Sequence, residues 1–253
     1  MVKILSEEPL VFTVTHDEMF SLERLDVKHV ALQVVFRENL REAVPKRWKD
    51  MGFQVVELGQ VVDNVGKERE VKTKDLPQHT GIPLLSITFQ GEAVPRVSKL
   101  RRKAEMTKLS TKYQVLLRVS KDDIVFSRID LVDGAVAVIP DELDGYLVSK
   151  EFIVLRVKEG YSSIVDPFYV WMYLRSSYVK EFVKGVMKGV TGRHRVKWDE
   201  VKDMPFPLPD SEGAKDIVNK HLKDLKDSME ELKKAREKYN NAIAGLYELV
   251  SLG

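Results

Sequence analysis

A heptad pattern near the C-terminal end restricts the fold of this chain more than any other stretch of its sequence. From about Ser211 to Leu252, apolar residues recur in steps of three and four, which is the spacing of a coiled-coil seam. Two sets of positions form this seam, the a positions Leu222, Met229, Arg236, Ile243 and Val250 and the d positions Val218, Leu225, Leu232, Tyr239 and Leu246. A helix of this length spans on the order of 60 Å at about 1.5 Å per residue. Its narrow apolar stripe therefore needs other side chains to cover it.

The seam can be covered in two ways, by the rest of the same chain or by a second helix. A period of about 3.5 residues favours a second helix, because such a stripe drifts around a straight helix of 3.6 residues per turn. Arg236 occupies an a position, where a charge costs stability unless a carboxylate faces it or the side chain reaches the edge of the seam. We therefore expect a coiled coil whose register or orientation depends on Arg236.

The composition limits the classes of function. The 253 residues are 43% hydrophobic and 32% charged, which is typical of a globular protein with one large or two small domains. The net charge is only +2, so a surface that binds nucleic acid must be local. The absence of Cys excludes disulfides, thiolate metal sites and a Cys nucleophile. Because the sequence has no run of 18 apolar residues and no signal peptide, we expect a cytoplasmic protein without a membrane segment.

Short strand-like runs dominate the middle of the chain, from about Phe53 to Leu155. They are separated by Gly, Pro and Asp, and they comprise Val55–Leu58, Leu84–Phe89, Gln114–Val119, Asp123–Ile129, Gly134–Ile139, Tyr146–Val148 and Phe152–Leu155. This pattern predicts a compact, mostly antiparallel β unit. Two further stretches, Gly66–Thr80 and Arg96–Thr111, are rich in charge and poor in apolar residues, so we expect exposed loops there.

Helices are predicted on both sides of the β unit. Leu25–Val44 has helical spacing, and Pro45 is expected to end that helix. Asp166 is an N-cap residue followed by Pro167 at the first helical position, and the helix is expected to run from Phe168 to about Val186.

The approach to the long helix contains three short predicted pieces, a strand at Val196–Trp198, a turn at Asp199–Met204 and an extended Pro-rich connector at Pro205–Pro209. The whole pattern predicts an α+β fold. It has three parts, a helical lead-in over residues 1–49, a compact β-rich domain over 50–210 and the long coiled-coil helix over 211–253.

Searches for catalytic and metal-binding patterns give no strong candidate. The five His residues lack metal-ligand spacing, and there is no P-loop, Gly-x-Gly-x-x-Gly or Gly-x-Ser-x-Gly pattern. Asp166–Tyr169 is similar to the catalytic tetrapeptide of amino-methyltransferases, but the second Pro is missing and a helix cap explains the residues. Four carboxylates, Asp122, Asp123, Asp130 and Asp133, could serve acid catalysis or a cation. We expect them to be solvated turn residues.

Two clusters of basic residues are candidates for binding phosphate. The first surrounds two glycines and consists of Lys184, Lys188, Arg193, His194, Arg195 and Lys197. Such a loop can place side-chain and backbone donors against phosphates, and Arg can read guanine edges. An ordinary solvated loop has the same composition. The second and weaker cluster consists of Arg96, Lys99, Arg101, Arg102 and Lys103.

Several segments, in this order and spacing, resemble the specificity subunits of type I restriction–modification systems. The most recognisable block comprises Asp123–Ile129, Gly134–Pro140 and Gly145–Phe152. Flanking segments resemble other parts of the family, namely Arg24–Asp26, Val56–Gly59, Asp166–Val170 with Tyr173–Leu174, Gly189–Arg195 with its Gly-x-Thr-x-Arg pattern, and Val201–Pro209. Two departures are found. Asp122–Asp123 stands where the family usually has Gly-Asp, and Ser211–Lys215 lacks the acidic-acidic-Gln start of the family's conserved helix.

The resemblance implies a DNA-binding specificity subunit without catalysis of its own. Full-length family members carry two target-recognition domains separated by two antiparallel helices, whereas this chain has one of each. The resemblance thus implies a homodimer through antiparallel C-terminal helices, bound to two inverted half-sites. In such a pair, Arg236 is expected near carboxylates in the early half of the second helix, which are Asp224, Asp227, Glu230 and Glu231.

The resemblance also implies partners and contact residues. Double-stranded DNA, a methyltransferase subunit and in some systems a restriction or translocase subunit would bind this chain, which itself needs no cofactor. S-adenosylmethionine and ATP would belong to those partner subunits. The residues expected to contact DNA are Lys188, Arg193, Arg195 and Lys150, followed by Arg128 and Arg102.

Two alternatives remain. A coiled-coil scaffold or antirestriction decoy would bind methyltransferase subunits without reading DNA. An enzyme that fuses recognition with cleavage is disfavoured, because the sequence has no nuclease or cofactor signature.

Overall fold

The computed structural model describes residues 42–76, 83–96, 114–186 and 195–251, with side chains given except at 185, 186 and 247–251. Six α-helices are described there, which we number α1 (Ala43–Asp50), α2 (Leu58–Val61), α3 (Pro167–Leu174), α4 (Ser177–Val186), α5 (Trp198–Val201) and α6 (Glu212–Ser251). The strands in the same ranges are β1 (Gln54–Glu57), β2 (Val62–Asn64), β3 (Glu70–Lys72), β4 (Leu85–Ile87), β5 (Ala93–Pro95), β6 (Val115–Arg118), β7 (Ile124–Ser127), β8 (Val136–Val138), β9 (Leu147–Ser149), β10 (Phe152–Val157) and β11 (Pro205–Leu208).

The strands form a β-rich body in which every described strand pair is antiparallel. Four sheets are present, in the orders β2-β10-β7-β8, β3-β6-β9, β1-β11 and β4-β5. The predicted α+β fold, with a compact β-rich unit followed by a long C-terminal helix, is therefore confirmed.

The four-stranded sheet lies at the centre because its strands are apolar on both faces. Successive side chains of a strand point to opposite faces of the sheet. In β7, Ile124 and Phe126 belong to one apolar cluster with α3 and α4, whereas Val125 belongs to a second cluster with the three-stranded sheet. The neighbouring β10 divides in the same way, with Val154 in the second cluster. A layer of helices and a second sheet thus cover the two faces.

The Pro-rich approach to α6 is extended, as predicted, and it also forms a strand with β1. Pro205 and Pro207 have carbonyls but no amide hydrogens, so they cannot take part in a complete ladder. The Tyr169 hydroxyl donates to the Pro207 carbonyl oxygen at 2.7 Å, and the Tyr173 hydroxyl donates to that of Pro205 at 2.7 Å. Burial raises the pKa of both tyrosines, so their hydroxyls remain protonated donors.

Three local predictions are wrong. The loop expected at Gly66–Thr80 contains β3, which pairs with β6. The strand expected at Val196–Trp198 gives way to α5, because the Lys197 amide donates to the Glu200 carboxylate at 2.8 Å and so caps a helical turn. Pro45 lies in the first turn of α1, where a helix tolerates Pro, and not at a helix end.

The helix expected from Phe168 to Val186 is divided into α3 and α4. Its predicted N-cap is confirmed, since the Asp166 carboxylate accepts from the Phe168 amide at 2.8 Å. The division occurs where the Ser176 hydroxyl accepts from the Val179 amide at 3.3 Å, which caps the second helix. The lead-in predicted over residues 1–49 lies outside the described residues as far as position 41. Of the described helices, none is long and apolar enough to cross a membrane.

Candidate nucleic-acid interface and helix seam

Three of the predicted DNA contacts lie together at one edge of the body, which we call the basic edge and define by Arg128, Lys150 and Arg195. Lys150 and Glu151 form the tight turn between β9 and β10. The Arg195 guanidinium donates to the Glu151 carboxylate at 2.7 Å. The Arg128 amide donates to the Glu151 carbonyl at 2.9 Å, and its guanidinium donates to the Val196 carbonyl at 3.1 Å. The sequence separates these residues widely, and the fold joins them at one turn.

Two charged groups of the basic edge, those of Lys150 and Arg195, are accessible even though each has a protein partner. The Lys150 ammonium lies 2.7 Å from the Glu70 carboxylate, and both side chains are about half exposed. The Arg195 side chain is 52% exposed, and its bond to Glu151 raises the pKa of its guanidinium, which stays charged. Exposed ion pairs contribute little net stability, because water solvates the separated charges well. A phosphate can therefore replace either carboxylate at small cost.

The other predicted contacts, Lys188, Arg193 and Arg102, lie outside the described residues. The described residues that follow them in the sequence nevertheless lie at or near the basic edge. Arg195 directly follows the segment 187–194. Gln114 directly follows the segment 97–113 and leads into β6, whose Leu116 pairs with Ser149 beside Lys150. The C-terminal end of each basic segment thus leads back into the described chain near this edge.

Asp123 is not the solvated turn residue that we expected. Its side chain is fully buried, and it accepts hydrogen bonds from the Ser120 amide at 2.7 Å, from Arg156 at 2.9 Å and from Arg69. Burial raises the pKa of the Asp123 carboxyl, and the Ser120 amide and the two guanidinium groups partly offset that rise. The carboxylate joins the segment after β2, the turn before β7 and β10, so its role is structural.

The remaining turn carboxylates fit the expectation better. Asp122 is exposed and has a φ of 65°, a turn conformation that Asp tolerates. Asp130 accepts from the Ser127 hydroxyl at 2.9 Å within its own turn. Over the described part of the chain, no group of three or more His, Asp or Glu side chains is placed to hold a metal ion.

The long helix α6 contacts the body along a stripe that keeps the period of a straight helix. It begins with the Ser211 hydroxyl, which accepts from the Ala214 amide at 3.2 Å and donates to the Gly52 carbonyl at 2.7 Å. Apolar contacts come first, through the buried residues Ala214, Val218 and Leu222. Ion pairs follow along the same face, Lys226 with Asp166 at 2.5 Å, Lys233 with Glu142 at 3.1 Å and Arg236 with Glu92 at 2.5 Å.

The heptad seam separates from this body-facing stripe along the helix. Val218 and Leu222 belong to both. From Lys226 onward the body contacts the e positions Lys226 and Lys233 and the a position Arg236, while the later d positions are left out of these ion pairs. A 3.5-residue pattern must diverge in this way from contacts made by a straight 3.6-residue helix. As a result, the d residues Leu232, Tyr239 and Leu246 are 47%, 65% and 62% exposed. The chain itself covers the start of its seam and leaves the later d positions open to solvent.

Arg236 finds its carboxylate within the same chain. One of its terminal nitrogens lies 2.6 Å and 2.5 Å from the two carboxylate oxygens of Glu92, between β4 and β5. We expected acidic residues of a second helix to supply this balance. The sequence could not have pointed to Glu92, because 144 residues separate the two.

Comparisons with known proteins agree with this fold. No family model matches the chain. The Type I restriction enzyme HindI specificity subunit of Haemophilus influenzae is 28% identical over 102 residues, which amount to 40% of this chain and 22% of that protein.

Two solved structures match parts of the chain. A chain from work on the structural basis of complex assembly and conformational transition of the type I R-M system matches with a TM-score of 0.50 and 18% identity. The HsdS subunit from Thermoanaerobacter tengcongensis matches with a TM-score of 0.49 and 20% identity. Each match covers 74% of this chain and 45% of the other, so the chain spans less than half the length of these relatives. Over part of its length the chain is therefore similar to a type I restriction enzyme specificity subunit, and it shares the fold of a chain solved in work on a type I R-M system.

Proposed function

We propose that this chain is a sequence-specific DNA-binding subunit that reads one half of a split DNA site and performs no catalysis itself. The observation that carries the proposal is the combination of one β-rich body with one long helix whose later d positions are exposed to solvent. The domain over residues 50–210 binds DNA, and the helix over 211–253 pairs with another helix and sets the spacing.

The basic edge supports the DNA-binding part of this proposal. Lys150 and Arg195 offer accessible positive groups, and Arg128 lies beside them with its guanidinium on a backbone carbonyl. Contacts to phosphate supply much of the affinity of such proteins, whereas base-edge contacts supply sequence selectivity. We assign the phosphate contacts to the basic edge, and we assign further contacts to Lys188, Arg193 and Arg102.

The open seam supports pairing through the helix. Leu232, Tyr239 and Leu246 form a large apolar row on a helix that is otherwise heavily charged as far as Lys238. Exposed apolar rows of this kind mark interaction surfaces. Two copies related by a twofold axis, with their helices antiparallel, cover both rows at once. Protein symmetry then requires a DNA target of two inverted half-sites around an unread spacer.

Partner subunits complete the proposed function. The names of the similar proteins place them in type I restriction enzymes and in assembled type I systems. We propose that a methyltransferase subunit and, in some assemblies, a restriction or translocase subunit dock on this chain. S-adenosylmethionine and ATP would be bound by those partners.

Selection of binding sites from a random duplex library tests the proposal. The purified chain is incubated with the library, alone and together with its methyltransferase partner, and bound DNA is sequenced. Enrichment of two inverted half-sites with a constant spacer is the expected result. Binding of the methyltransferase without any enriched sequence would instead identify a scaffold or decoy and contradict our proposal.

A further inference from the structure

A groove lies between the long helix and the body, beside the open part of the seam. It has a volume of about 460 Å³ and is lined by apolar side chains from both walls, Val94, Val138, Pro140 and Phe168 from the body and Met229 and Leu232 from α6. We call it the helix–body groove. Since Met229 and Leu232 are seam positions, a second helix that covers the seam must also enter this groove.

Most of the charged groups that line the groove are paired within the chain. Glu92 is paired with Arg236 and Glu142 is paired with Lys233, and all four line the groove. Lys226, which also lines it, is paired with Asp166. Glu230 and Glu237 also line the groove from the helix side, and Glu230 is paired with Lys234. The lining is thus close to neutral, and a charged occupant would lose water for little gain, so the groove suits a helix with few charges.

The C-terminal end of α6 is itself a helix with few charges. Residues 212–238 contain 15 Lys, Arg, Asp or Glu residues in 27 positions, whereas residues 239–251 contain only Glu248. The flanking e and g positions of the last two heptads are uncharged, being Asn240, Ala242, Tyr247 and Leu249. A helix with so few charges around a seam is expected to be buried on more than one side.

Residues 239–251 of a second copy are therefore the occupant that we propose for the helix–body groove. The inference rests on the antiparallel pairing proposed above and fixes its register. In the sequence, the part of the seam that follows the buried Leu222 runs from Leu225 to Val250, and a twofold axis at its middle lies near residues 237 and 238. Each a residue then faces a d residue of the other copy, in the pairs Met229–Leu246, Leu232–Ile243, Arg236–Tyr239 and Leu225–Val250.

This arrangement makes each helix contact both the helix and the body of the other copy. The paired segments overlap over about 40 Å. Val94 and Phe168, which lie on the body and not on the helix, become part of the interface. The position of each β-rich body is then fixed by the other copy's helix, as a subunit that reads a split site with a constant spacer requires.

Cysteine cross-linking measures the register directly, because the chain contains no Cys. Met229→Cys and Leu246→Cys proteins are prepared separately, mixed and oxidised under mild conditions. The expected result is a disulfide-linked dimer that forms in the mixture much more than in either protein alone. A mixture of Tyr239→Cys and Leu246→Cys is the matched control, since both positions are exposed but lie about 15 Å out of register.

A body variant tests the groove separately from the seam. Val94→Glu places a charge in the groove without changing the helix, and we expect the dimer to dissociate at least about tenfold more readily. Unfolding by denaturant shows that the variant is folded. A wild type that is dimeric by light scattering but forms no 229–246 disulfide, or a Val94→Glu dimer as stable as wild type, overturns this inference alone. A monomeric wild type overturns the proposed pairing as well.

Discussion

Arg236 and Glu92 join the long helix to the β4–β5 hairpin, with nitrogen–oxygen distances of 2.6 Å and 2.5 Å to the two carboxylate oxygens. The heptad places Arg236 inside the seam, where an unpaired charge would weaken any coiled coil. Its pairing with Glu92 of the body supplies a carboxylate for the guanidinium without a contribution from the seam. A carboxylate of the same chain thus pairs with the positive charge that the sequence places in an apolar row.

Loss of this ion pair is expected to affect stability only slightly. The Arg236 side chain is half exposed, so Glu92→Gln should lower the free energy of unfolding by less than about 1 kcal/mol. It should also leave the dimer intact. Denaturant unfolding and light scattering measure the two effects. If Glu92→Gln has no effect on unfolding while Asp227→Asn and Glu230→Gln weaken the dimer, the carboxylates that balance Arg236 belong to the second copy.

The second contact between helix and body has a defined pH dependence. The Glu142 backbone amide and then Lys233 hold the pKa of the Glu142 carboxyl below its ordinary value of 4.5. Glu142 raises the pKa of Lys233 above 10.5. An acid whose pKa is lowered by folding stabilises the fold above its unfolded-state pKa. A base whose pKa is raised by folding stabilises the fold below its unfolded-state pKa. The contact is therefore fully present between about pH 4.5 and 10.5 and is lost as the pH falls through the lowered pKa or rises through the raised one.

Removal of Lys233 tests this contact. In Lys233→Ala, the pKa of Glu142 should rise toward 4.5 but remain below it, because the backbone amide still donates. Carboxyl NMR titration measures the change. Lys234→Ala is the control, since Lys234 pairs with Glu230 on the same helix. An unchanged Glu142 pKa in Lys233→Ala would show that α6 does not rest on the body at this position.

The buried Asp123 cluster is expected to be a main source of stability. Asp123→Ala leaves the guanidinium groups of Arg69 and Arg156 without their shared carboxylate and should cost about 3 kcal/mol of unfolding free energy. Asp122→Asn is the matched control, because Asp122 is the exposed neighbour of Asp123 and Asn tolerates the same backbone conformation. Urea denaturation of both variants measures the difference. Equal stabilities would mean that Asp123 is solvated after all.

The basic edge should contribute affinity for DNA without sequence preference. Lys150→Ala and Arg195→Ala should each weaken binding to specific and random duplexes to a similar extent. Each should also reduce the slope of log K against the logarithm of the salt concentration by about one. Fluorescence anisotropy at several salt concentrations measures both quantities. Lys220→Ala, on an exposed face of α6, should leave them unchanged. A loss confined to the specific duplex would instead assign these side chains to base contacts.

Local patterns predicted the elements of this fold better than its long-range contacts. Short apolar runs located β7, β8 and β10, and the cap at Asp166 located the start of α3, because these signals are local. The short strand β3 was missed, since only its pairing with β6 distinguishes it from a charged loop. The roles of Asp123 and Arg236 depend on partners 33 to 144 residues away, which no spacing rule reveals.

At the candidate interface, too, the sequence predicted single residues and not the long-range contacts between them. The sequence indicated Arg128, Lys150 and Arg195 as separate basic residues, and only the fold shows that they share one edge around Glu151. The heptad predicted that α6 needs a partner, but it could not show that the body covers Val218 and Leu222 and leaves Leu232 open.

Light scattering at micromolar concentration tests the central claim most directly. The chain has a mass of 29.0 kDa, and we predict a wild-type particle of twice that mass. Leu232→Asp with Leu246→Asp should give the single-chain mass without unfolding, because both side chains are exposed, whereas Asn241→Asp on another face should remain dimeric. A wild type of 29.0 kDa under these conditions would contradict the account, because the open seam would then have no second copy to cover it.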